Sequence, residues 1–183
     1  MRLGLAGVIL AIAIFLALIV QEFIPPVQSL YGARVLLVPM LFCYGALLLP
    51  SWGMLLLAVF TGLITDLMYL HIVGGQVEIA LGWSIFYFVC FGTLSHGLQP
   101  AFLRGQWWLH ILLAAVGTSL FLALQYVMIC LRRQGIVLNE AVFWRIVGPG
   151  LMAAAGATVL HVFSILAGIF LPDLNRQKFV SRR

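Results

Sequence analysis

Apolar runs long enough to cross a bilayer, with most charges held to the breaks between them, set the terms on which this chain can fold. Residues 3–20 hold no charged side chain, and comparable runs recur to the end of the sequence. About 20 apolar residues in a helix cover the roughly 30 Å of a hydrocarbon core. Of the 183 residues, 64% are hydrophobic and only 8% charged, too few charges to cover the surface of a water-soluble domain. No long polar segment offers a separate soluble catalytic domain. The expected fold class is therefore all-α: a polytopic membrane protein of about six transmembrane helices. It forms a single transmembrane domain over residues 1–172, with a short basic cytoplasmic tail at 173–183.

The breaks place the spans. The first covers about residues 3–23 and stops at Pro25-Pro26, because proline lacks the amide donor and disfavours helix in the residue before it. It reads as a retained helix rather than a cleaved signal peptide, since no small-x-small site follows the apolar run. The second, about 33–49, is short, and Pro39 kinks it or marks a later start. Pro50-Ser51-Trp52-Gly53 connects it tightly to a third span at about 52–72, which makes the two antiparallel neighbours. Gly74-Gly75-Gln76 breaks the chain before a fourth span at about 78–98. The fifth runs over about 107–131 and ends at Arg132-Arg133-Gln134-Gly135, where glycine suits a C-terminal cap. Asn139 can cap the sixth helix, with Glu140 in its first turn and Leu138 and Phe143 spaced as a hydrophobic staple. Gly148-Pro149-Gly150 kinks that helix or marks its entry into the membrane, and it ends near Leu171-Pro172.

The net charge of +5 comes from residues at span ends and in the tail. No aromatic-interleaved basic patch accompanies them, so anionic headgroups of the lipid bilayer, and no nucleic acid, are the expected partners. Arg2, Arg104, Arg176, Lys178, Arg182 and Arg183 share one side, and their excess over the other side predicts both termini cytoplasmic. Arg132, Arg133 and Arg145 make the opposite surface unusually basic: they either snorkel at the interface or contact an acidic outer-face partner.

Asp66 interrupts the third apolar run. A carboxylate at membrane depth costs about 2.5–3.5 kcal/mol on insertion scales, so it faces other helices or a wet cavity rather than lipid. Gly62 lies four residues earlier on the same face, which gives that face a site for close approach beside a polar group. Three roles fit Asp66: a bond across the helix bundle, a ligand pocket or partner contact, or solvation near the interface. With the span ending near residue 72, it would lie about 9 Å from that end. Thr61 and Thr65 can bond back to their own helix. Small residues also recur as Ala13 and Ala17 in the first span, and as Gly150, Ala154 and Thr158 with Ala153 and Ala157 in the sixth, where close helix packing is expected.

No catalytic constellation emerges. The serines lack a GxSxG context, no carboxylate pair is close in sequence, and His71, His96, His110 and His161 lack metal-ligand spacing. Cys43, Cys90 and Cys130 fall in apolar runs without CxxC spacing and read as buried free thiols. No enzyme activity, metal or cofactor is expected.

The stretch 50–69 resembles the rod shape-determining protein MreD family: a short break, an apolar helix bearing Gly62-x-x-x-Asp66, then Gly74-Gly75 and another span. The hydropathy layout extends the resemblance over most of the chain. It implies a non-enzymatic component of the cell-elongation complex in the bacterial inner membrane. Such proteins bind MreC, act with other cell-elongation proteins including cell-wall synthases, and support side-wall peptidoglycan synthesis. It also implies a fold similar to the substrate-binding components of energy-coupling-factor vitamin transporters. Substrate capture in such a transporter is the alternative function, with Trp83, Tyr87 and the 71–78 loop near the pocket.

Overall fold

In the computed structural model, the described residues are 2–28, 31–69, 72–73, 76–77, 82–103, 106, 108–133, 135 and 139–170. The elements are α1 (Arg2–Phe23), α2 (Val38–Leu48), α3 (Ser51–Met68), β1 (Ile72–Val73), β2 (Gln76–Val77), α4 (Trp83–Gly97), α5 (Gln99–Leu103), α6 (Trp108–Arg133) and α7 (Glu140–Phe170). Four of them, α1, α3, α6 and α7, are long and apolar enough to cross a membrane. The expected tail at 173–183 lies outside the described residues.

The second and fourth expected spans are shorter than the sequence reading made them. Residues 34–37 are not helical, and α2 begins only at Val38, with Pro39 in its first turn. Its 11 residues rise about 16 Å, about half a hydrocarbon core. Eight of the 11 are buried, so α2 is an all-round apolar helix enclosed by protein. It touches α1, α3, α4, α6 and α7 and sits at the centre of the fold. Phe42 at its middle meets Phe88 of α4 edge-on, with ring centroids 4.9 Å apart. The described part of α4 is 15 residues and starts at Trp83; residues 78–81 lie outside the described residues.

The third helix ends at Met68, and Ile72 belongs to β1, which pairs antiparallel with β2 in a two-residue ladder. The all-α expectation thus gains one small hairpin beside the helices. Further along the chain, α6 includes Arg132 and Arg133 in its last turn, and the Gly135 amide donates back to Cys130 O as at a Schellman terminus. Asn139 caps α7: its Oδ1 accepts from the Val142 amide at 3.1 Å. Leu138, the other half of the expected staple, lies outside the described residues. Pro149 is buried inside a helix that continues through it.

The two most extensive helix pairings are α3 with α4 and α6 with α7. In α7 the inward stripe is Gly150, Ala153 and Ala157, while Thr158 is exposed and bonds back to Ala154 O. The small-residue face therefore runs one position off the Gly150–Ala154–Thr158 spacing. Cys43 and Cys130 are buried, but Cys90 is exposed on α4, contrary to the expectation of three buried thiols.

Candidate functional site

Asp66 stands in the last turn of α3, two residues from the helix end rather than six. That is the negative end of its own helix, where a carboxylate is disfavoured by about 0.3–1 kcal/mol. The first turn of α4 offsets this. Asp66 Oδ2 accepts from the Gly82 amide at 2.6 Å, and Oδ1 accepts from the Ser84 amide at 3.2 Å. Gly82 is the N-cap residue of α4 and supplies no side chain, so α3 provides the cap that α4 lacks. Charge-assisted bonds of this kind contribute about 1.5–3 kcal/mol each, which outweighs the unfavourable end of α3. Gly82 takes φ of +99°, a left-handed conformation that glycine adopts without a Cβ clash.

Gly62, one turn earlier, explains how the helices come close enough. A Cβ at that position would stand 2.5 Å from the Ile85 amide nitrogen, so only glycine admits the α4 backbone there. Gly62 and Asp66 thus act on consecutive parts of one helix start: Gly62 meets Ile85, and Asp66 meets Gly82 and Ser84. Thr61 and Thr65 donate to Leu57 O and Thr61 O at 2.7 Å each, which satisfies their buried hydroxyls within α3.

The far end of α4 is also fastened by side chains. His96 Nδ1 lies 3.3 Å from Ala46 O, and Gln99 Nε2 donates to Leu47 O at 2.9 Å. These are carbonyls at the C-terminus of α2, which have no partner within their own helix. A carbonyl only accepts, so Nδ1 carries the proton and Nε2 accepts from Ser51 Oγ at 3.0 Å.

A second polar group lies where α1 and α3 end. Gln21 Nε2 donates to Tyr69 OH at 2.7 Å, and Tyr69 OH donates to Glu22 Oε1 at 2.6 Å. Gln21 Oε1 accepts from the Leu37 amide at 3.1 Å and so satisfies a backbone donor in the non-helical approach to α2. Burial raises the Tyr69 phenol above its ordinary value, and the bond to Glu22 adds to that.

The basic candidates separate. Arg132 and Arg133 are exposed at the end of α6. Arg145 instead donates from Nε to Tyr31 O at 3.1 Å and fastens α7 to the segment between α1 and α2. With Arg34, Tyr69 and Gln125 it lines a cavity of about 590 Å³. Trp83 and Tyr87 border a different, apolar groove of about 170 Å³ between α4 and α6. Residues 71, 74, 75 and 78 of the 71–78 loop lie outside the described residues.

Sequence reasoning singled out Gly62 and Asp66 but missed their partners, Gly82 and Ser84. It also missed the Gln21–Glu22–Tyr69–Arg34 group. The available signal was Gln21-Glu22 at the end of an apolar run, since a polar pair there must find partners. Among the described residues no group of three or more His, Cys, Asp and Glu side chains is placed to hold a metal ion. No protein-family model, curated protein or solved structure matches the chain.

Proposed function

We propose that this chain is a non-enzymatic inner-membrane component of a bacterial cell-elongation complex, of the MreD type, that binds MreC and supports side-wall peptidoglycan synthesis. The observation that carries the reading is the Gly62-x-x-x-Asp66 element: the residues that bear the family resemblance are those that join α3 to α4. Four helices of membrane-crossing length suit an inner-membrane scaffold. In this reading α2 and α4 complete a six-helix arrangement similar to the substrate-binding components of energy-coupling-factor transporters, with both termini cytoplasmic.

Both Asp66 oxygens already accept α4 amides, so Asp66 serves the partner indirectly by holding the helices in place. The partner-facing surface is the outer face of α3, where Trp52, Leu56, Val59, Leu63 and Leu67 recur at helical spacing and are exposed. Arg132 and Arg133 add charge for an acidic segment of MreC on the outer side.

Affinity purification from native membranes in mild detergent, with mass spectrometry of proteins and small ligands, tests the reading. Recovery of MreC and cell-wall synthases, reduced by Arg132→Glu with Arg133→Glu, is the expected result. A cavity of this size supports one alternative, substrate capture in a vitamin transporter, with the pocket beside Arg34 and Arg145 rather than beside Trp83 and Tyr87. Recovery of a coupling subunit or of one stoichiometric vitamin would move the assignment there.

A further inference from the structure

The cavity of about 590 Å³ lies where the segment between α1 and α2, the end of α3, the middle of α6 and the first turns of α7 meet. Its lining is divided. Arg34, Arg145, Gln125 and Tyr69 are polar, whereas Leu36, Phe121, Leu122 and Pro149 are apolar, and no carboxylate lines it.

The backbone here is of the kind that accompanies a binding site in a membrane. Residues 34–37 are non-helical and lead into α2, which covers only about half a hydrocarbon core. Non-helical backbone at membrane depth is tolerated where it is buried in protein or lines a cavity, and Arg34 and Leu36 line this one. Gln125 lies eight residues before the end of α6, about 12 Å along the helix. An apolar wall at that depth would be satisfied by lipid chains alone; the Gln125 amide there calls for a polar partner, and the two guanidinium groups stand exposed at the cavity's edge, where an anionic headgroup can reach them.

The guanidinium groups are available to one. Arg145 uses Nε on Tyr31 O, which fixes the side chain and leaves its terminal N–H groups without a partner among the described residues. Among the described residues the carboxylate beside Arg34 is Glu22, at 3.8 Å, with the two side chains 68% and 43% exposed, and the guanidinium also acts on the Tyr69 phenol. That distance is beyond the about 2.7–2.9 Å of a charge-assisted hydrogen bond, and exposed pairs contribute little. Two guanidinium groups against one neighbouring carboxylate leave a single positive charge, which matches one anionic headgroup.

We infer that this cavity binds a phosphate-bearing amphiphile, its anionic headgroup held between Arg34 and Arg145 and its chain laid along Leu36, Phe121 and Leu122. Guanidinium forks match phosphate oxygens two at a time, so a lipid phosphate suits the pair better than a zwitterionic headgroup whose own cation competes for it. The site goes beyond the scaffold reading and does not depend on it: either can fail alone.

Native mass spectrometry of the full chain in detergent tests it, with short-chain phosphatidylglycerol, phosphatidylcholine and inorganic phosphate as probes. The expected result is preferential retention of phosphatidylglycerol, weakened about tenfold by Arg145→Gln and by Arg34→Gln, partly kept by Arg145→Lys, and unchanged by Arg132→Gln. Arg34→Gln keeps the test usable if Arg145→Gln unfolds the chain, because the Arg34 side chain is 68% exposed and its ion pair with Glu22 is as long as 3.8 Å. Equal retention of the two lipids, an Arg34→Gln protein that binds like the wild type, or an equal loss on Arg132→Gln would overturn the site. Inorganic phosphate that competes with phosphatidylglycerol supports headgroup recognition; phosphate binding with no lipid preference overturns the amphiphile.

Discussion

Two helix pairs carry this fold, and they are joined differently. In the α3–α4 pair, Gly62 meets the backbone of Ile85, and a carboxylate from α3 caps the start of α4. In the α6–α7 pair, Gly150 meets Ser119 Oγ and Ala115 O, and Ala153 and Ala157 continue the small-residue stripe without a buried carboxylate. Asp66 is the one buried acidic residue among the described residues. Small residues alone let two helices approach; they leave sliding along the axis opposed only by packing. A cap is directional, because only one turn of α4 presents its free amides to Asp66. The comparison assigns register to Asp66 and proximity to the glycines.

Adding one methyl group to each joint should separate them most strongly. Gly62→Ala drives a Cβ into backbone atoms of Ile85, which cannot rotate away, so a loss of about 3 kcal/mol or more is expected. Gly150→Ala meets first a serine hydroxyl that can turn aside and then Ala115 O at 2.8 Å, so about 1 kcal/mol is expected. Thermal unfolding in detergent would measure both, and equal losses would erase the distinction between the pairs.

The cap itself comes next. Asp66→Leu strands the Gly82 and Ser84 amides and should cost about 2–4 kcal/mol, with Asp66→Asn, which keeps one acceptor oxygen, at about half that. Gly82→Ala should cost about 1–2 kcal/mol through its left-handed φ while leaving the carboxylate in place. If Gly82→Ala removed as much stability as Asp66→Leu, the conformation of the turn rather than the cap would hold the joint.

The smallest effect lies at the Gln21–Tyr69–Glu22 group. Its phenol is held above the ordinary value near about 10, so the neutral form is the one the fold favours. The stability it contributes is full below about pH 10 and is lost as the pH rises further through the folded value. Tyr69→Phe should cost about 0.5–1.5 kcal/mol at neutral pH and flatten the alkaline part of the stability profile. An unchanged alkaline slope would place that titration elsewhere.

Much of this was legible in the chain. Pro25-Pro26, Pro50 and Asn139 mark real helix boundaries, because each acts locally on the amide and dihedral preferences of its neighbours. Gly62 and Asp66 stood out because a small residue and a charge on one apolar face both require a partner. Their partner was not legible: Gly82 and Ser84 offer backbone amides, which carry no side-chain signature. Helix length was overestimated for the same kind of reason. Apolarity marks residues 33–37 and 69–72 as suited to the membrane, but only the folded chain shows that Gln21 takes the Leu37 amide and that Ile72 pairs with Val77. Small residues lie on two adjacent faces of α7, so the sequence offered Ala154 and Thr158 beside Ala153 and Ala157, and only the folded chain shows that the latter pair faces inward with Gly150.

The most direct test of Asp66 as the cap of α4 is hydrogen–deuterium exchange at the amides of Gly82 and Ser84, in the wild type and in Asp66→Asn. Slow exchange in the wild type, with a rise in the variant confined to the first turn of α4, is the expected result. Equal exchange in the two proteins, with both still folded, would contradict it and return Asp66 to a role outside the helix bundle.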